Sequence, residues 1–69
     1  VTYDPQVDAA YIALVPLPAG AVARTHALGA WLIADFDADD RLVGFEVLDA
    51  RHHLPAAILT TAPRPSDPA

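Results

Sequence analysis

The sequence predicts an α+β domain that is mainly β: a small antiparallel sheet of four to five strands, with a short N-terminal helical turn and a short C-terminal helix. Three observations predict it. β-branched and aromatic runs recur along the chain, broken by Pro, Gly and Asp clusters. The two strongest runs, Trp31 to Phe36 and Leu42 to Leu48, flank a short acidic turn, Asp37-Ala38-Asp39-Asp40-Arg41. A helical stripe occurs near the C-terminus, where Leu54, Ile58 and Leu59 share one side.

Taken in order, Val1-Thr2-Tyr3 is β-prone and stops at Asp4-Pro5. Asp is a preferred N-cap and Pro suits a first helical position, so residues 4–8 read as the helical turn. Ala10 to Val15 alternates with period 2 and reads as a strand. Pro16, Pro18 and Gly20 end it. Val22 to Leu28 is a weaker strand, with Val22, Arg24 and His26 on one face, and Gly29 turns the chain back. The hairpin at Asp37 to Arg41 admits two registers, with Phe36 opposite either Leu42 or Val43. The second gathers Leu32, Ala34, Phe36, Val43, Phe45 and Val47 on one apolar face and leaves Asp35 and Glu46 on the other. Asp40 falls where a left-handed residue is wanted, which Asp tolerates better than most. The strands are expected side by side in chain order. Asp49 to His53 leads out extended, and Leu54 to Leu59 forms the C-terminal helix with Pro55 in its first turn. Residues 1–61 form a single domain, and 62–69, with three prolines, a disordered tail.

A chain of 69 residues buries only about 60% of its unfolded surface and is marginal alone. It has no cysteine for a disulfide or thiolate site, so oligomerisation or a very economical core must compensate. Hydrophobic residues make up 54% of it, which suggests apolar surface left for a partner. The net charge of −5, with no lysine and four scattered arginines, argues against nucleic acid and anionic membranes. No apolar run approaches the ~20 residues of a spanning helix, so a cytoplasmic protein is expected.

Tyr3-Asp4-Pro5-Gln6-Val7-Asp8-Ala9-Ala10-Tyr11-Ile12 fits the pattern Y-D-x-x-x-D-x-x-Y-I. Asp35 to Ala50 fits D-x-D-x-x-G-x-(apolar)-V-G-(apolar)-E-(apolar)-L-x-A, except that Asp40 stands where the pattern has Gly. Together, over roughly residues 1–55, they resemble the bacterial family catalogued as domain of unknown function 2283. The resemblance implies a small, mainly β domain with no assigned activity, cofactor or catalytic residue. Some relatives are similar in size and genomic setting to components of toxin–antitoxin-like pairs.

Asp35, Asp37, Asp39 and Glu46 stand at the offsets of positions 1, 3, 5 and 12 of an EF-hand calcium loop, the first metal candidate of this chain. Against it, Asp40 replaces the loop glycine and the flanks alternate like strands. His26, His52 and His53 are weaker ligand candidates, because an adjacent pair diverges in an extended segment. No cofactor is implied, and no enzyme: there is no Cys or Lys, and the one serine, Ser66, lies in the expected tail. Gly44, inside a strong strand, points to a ring lying over it, Trp31 or Tyr11, with a backbone left open for a partner strand as the alternative. Glu46 has Arg24, Arg41 or a nearby backbone as candidate partners. The function these features suggest is a non-enzymatic interaction module that self-associates, as a homodimer. The alternatives are a protein-binding component of a toxin–antitoxin-like or regulatory pair, meeting a small basic protein, and a divalent-metal binder.

Overall fold

The longest strand lies at the centre of the sheet. In the computed structural model, which describes residues 1–65, the elements are β1 (Thr2–Asp4), β2 (Ala9–Ala13), β3 (Arg24–Ala27), β4 (Leu32–Phe36), β5 (Leu42–Leu48), α1 (Ala50–His53) and α2 (Ala56–Thr61). The five strands are antiparallel in the order β1-β2-β5-β4-β3. This corrects the expected chain order. Residues 14–23 carry the chain to the far edge, and β3, β4 and β5 return as a meander to pair with β2. The reason lies in β5, whose Val43, Gly44 and Val47 are all buried; chain order would leave that strand at an edge.

The N-terminal helical turn is also corrected. Pro5 to Asp8 form a hairpin turn, with Asp4 opposite Ala9. The Gln6 N–H donates to Asp4 Oδ1 at 3.0 Å, and Asp8 takes the left-handed conformation at φ 54°. An Asp-Pro pair opens a β-turn as readily as a helix, and the pairing of β1 with β2 decides between them.

Cross-strand partners share a face. The registers therefore put Tyr3, Ala10, Ile12, Leu32, Ala34, Phe45 and Val47 on one side. The core forms there from Tyr3, Ala10, Val47, Ala50 and Leu59, with Ile12, Leu32, Leu54 and Ala62 packed against it. The opposite face carries Ala9, Tyr11, Ala13, Thr25, Ala27, Ile33, Asp35, Gly44, Glu46 and Leu48, of which only Gly44 is buried. Both expected hairpin registers occur. Ala34 pairs with Phe45 and Asp35 with Gly44, then an irregularity brings Phe36 opposite Leu42.

The C-terminal segment differs in detail from its expectation. Asp49 to His53 is not extended: Asp49, at φ 52°, turns the chain off β5 into the short α1. Its fully buried Ala50 donates its N–H to the Asp8 carbonyl at 3.0 Å. Ile58 is exposed, and Leu59 with Ala62 makes the contact instead. Past α2, the Pro63 carbonyl accepts from the Tyr3 N–H at 2.9 Å. The expected tail beyond Pro65, Ser66 included, lies outside the described residues. Among those described, no helix is long and apolar enough to cross a membrane.

Candidate functional site

The open face of the sheet has a polar centre built over Gly44. Tyr11 on β2 lies opposite Glu46 on β5, and its ring leans across the neighbouring glycine. A Cβ on Gly44 would come within 2.7 Å of Tyr11 Cζ. The Tyr11 hydroxyl continues over β5 and donates to Asp35 Oδ2 on β4 at 2.8 Å. Thr25 on β3 donates to Asp35 Oδ1, also at 2.8 Å. Two hydrogen bonds thus brace four strands. Burial, the bond to Asp35 and the negative charges of Asp35 and Glu46, in that order, push the Tyr11 hydroxyl up to about 12. It is a neutral donor at physiological pH, and Asp35 has a donor on each oxygen.

A second joint ties the first hairpin to α1. Tyr3 donates to Asp8 Oδ1 at 2.7 Å, and the same oxygen accepts the Arg51 backbone N–H at 3.2 Å and lies 3.4 Å from Arg51 Nε. The Tyr3 bond, then the backbone and charge of Arg51, hold the Asp8 carboxyl below its ordinary value of 3.8. The Asp8 bond is also the first cause raising the Tyr3 hydroxyl. Beside this joint lies a groove of about 390 Å³ lined by Tyr3, Arg51, Ala56, Leu59 and Thr60. The Thr60 hydroxyl is spent on the Ala56 carbonyl.

The acidic turn is organised by Asp37. Its Oδ1 accepts the Asp39 and Arg41 N–H groups, each at 2.9 Å, and its Oδ2 accepts Arg41 Nε at 3.2 Å. These contacts lower its carboxyl too, the Arg41 backbone bond first. Asp39 pairs with Arg41 at 3.1 Å and Asp40 with Arg24 at 2.6 Å. The turn aspartates thus aim at arginines and backbone, while Asp35 and Glu46 sit on the open face of the strands. Among the described residues no three His, Asp or Glu side chains converge as a metal site. Arg24 and Arg41, the two side chains offered as alternative partners of Glu46, are held by the turn instead. His26 lies on β3, and His53 stacks on Trp31 with ring centroids 3.7 Å apart. The His52 and His53 rings are 6.0 Å apart in α1. Tyr11, and not Trp31, therefore lies over Gly44. Sequence reasoning missed Thr25, Arg51 and the Tyr3–Asp8 bond, whose one trace was the spacing of Tyr3 and Asp8 in the first motif.

A lowered carboxyl contributes stability that is present above its unfolded value and lost as pH falls through its folded value. For Asp8 and Asp37 that window lies below 3.8. Asp8→Asn is expected to flatten the loss of stability as pH falls below about 4. Urea unfolding at a series of pH values measures it, and an unchanged acid limb would count against the joint.

The family model described as "Protein of unknown function (DUF2283)" matches residues 1–51. The chain belongs to this family. No curated protein and no solved structure matches it. In this DUF2283 domain the two sequence motifs meet in space. Tyr11 of the first lies on Gly44 and Asp35 of the second, and Asp8 of the first receives Ala50 at the end of the second. Asp40, which replaces the pattern's glycine, adopts φ 63°. That conformation suits glycine best, and Asp is among the residues that tolerate it. The match ends at Arg51, so α2 lies beyond it.

Proposed function

We propose that this DUF2283 domain is a non-enzymatic, cytoplasmic interaction module that self-associates as a homodimer. The observation that supports the reading is an apolar surplus outside a very small core. The buried hydrophobic residues are Tyr3, Ala10, Ala34, Val43, Val47, Ala50 and Leu59, three of them alanines. Val7, Leu14, Val15 and Leu28 meanwhile stand between 48% and 68% exposed. Helices cover one face of the sheet, and the molecule measures 33 × 30 × 17 Å. It is broad enough to offer the roughly 800 Å² per partner of a standard interface. The polar centre at Tyr11 and Asp35 acts as a brace in this reading, its groups already engaged with one another.

Size-exclusion chromatography with light scattering across concentration tests the reading. The expected mass rises towards twice the 7.3 kDa of the single chain. A clean 7.3 kDa species at high concentration overturns it.

A further inference from the structure

The two edges of the sheet are finished differently. On β1 the Tyr3 N–H, pointing away from β2, is taken by the Pro63 carbonyl. β3, the other edge, has no such cover among the described residues, and all four of its own residues are exposed. Its hydrogen-bond phase is bounded by two contacts: Leu28 N–H donates to the Leu32 carbonyl at 2.8 Å, in the register that pairs Ala27 with Ile33, and at the other end Ala23 N–H donates to the Phe36 carbonyl at 2.8 Å. Antiparallel strands alternate between inward- and outward-bonding residues. His26 and Arg24 therefore bond inward to β4, and the N–H and C=O groups of Thr25 and Ala27 point outward. An exposed edge of this kind is a template for another strand.

We infer that the β3 edge is the self-association surface of this domain, pairing antiparallel with β3 of a second copy. The inference rests on the self-association proposed above and names its location. Charge does not oppose a second copy as the occupant. Two chains of net charge −5 repel, but residues 21–33 contain no carboxylate, and the Asp35 and Asp40 carboxylates that reach this edge are engaged by Thr25 and Arg24. The edge is also self-complementary. A two-fold placed at Thr25 sets Val22 of one copy opposite Leu28 of the other, at both ends of the joint. These two flanking residues are 39% and 55% exposed in the single chain. Ala23 then faces Ala27, a small pair that lets the backbones close. The Ala23 N–H stays on the Phe36 carbonyl, so the bonds across the joint come from the Thr25 and Ala27 N–H groups.

Amide exchange and variant association test the edge. The Thr25 and Ala27 amides are expected to exchange freely in dilute protein and to become protected as concentration rises. Ala27→Pro removes an outward donor without touching a bond to β4. With one inter-strand bond lost in each copy, it should weaken the dimer by about tenfold or more. Leu28→Asp, which leaves the backbone unaltered, should weaken it comparably and keeps the test decisive if Ala27→Pro misfolds. A dimer that survives these variants with the Thr25 and Ala27 amides still exchanging freely overturns the edge, leaves self-association standing and points to the open face. A chain that stays monomeric at every concentration overturns both.

Discussion

Gly44→Val is expected to destabilise the domain by about 2–3 kcal/mol, near the upper end of overpacking costs. The new side chain enters space held by the Tyr11 ring, only 2.7 Å from Cζ at its first carbon. The ring cannot yield cheaply, because its hydroxyl is tied to Asp35 across the strand. Removing glycine from a strand interior would otherwise help by roughly 0.5–1 kcal/mol, so the steric term has to exceed that gain. For a domain of this size the melting temperature should fall by roughly 14–21 °C. A double-mutant cycle isolates the cause: in a Tyr11→Ala background the valine should do little harm or stabilise. Equal losses in both backgrounds would show that Gly44 makes room for something other than that ring.

Ala50→Leu is expected to cost a similar amount, about 2–3 kcal/mol. Ala50 is fully buried among Tyr3, Val47 and Leu59, and its N–H is fixed to the Asp8 carbonyl. A larger side chain must lift α1 off the sheet or force Leu59 aside. Ala57→Leu, an exposed position on α2, serves as the control and should stay within about 0.5 kcal/mol of the parent. Urea midpoints at constant slope measure both. A leucine tolerated equally well at both positions would mean that α1 is not clamped where it is seen.

Much of the sheet was legible because local rules wrote it. β5 was read to its exact bounds from its β-branched run, and β4 to within a residue. The opposition of Asp35 and Glu46 to the apolar face followed from period 2, as did the ring over Gly44 from a glycine out of place. The β1–β2 turn was misread because Pro presets the same φ for a turn and a helix, and only the partner strand distinguishes them. Strand order was misread because adjacency of β2 and β5 depends on contacts 30 or so residues apart, which no local pattern encodes. α1 has too few residues to show a period. The candidate site was half visible. Tyr11, Asp35 and Gly44 stood in the two motifs, but Thr25 lies in a weak strand with no motif around it, and only the β3–β4 register brings it to Asp35.

The placing of β5 between β2 and β4 has a consequence for how the chain assembles. β1–β2 is a local hairpin and β3–β4–β5 a local meander, each closed by short turns. The pairing of β2 with β5 is the seam between these halves, and it joins Ala13 to Gly44 across everything in between. Among the strand pairings the largest loop-closure entropy falls on that step, so the halves are expected to form first and the seam to set the folding rate. Val47→Ala, at the seam, should therefore slow folding, whereas exposed changes in the β1–β2 turn should leave the rate nearly unchanged.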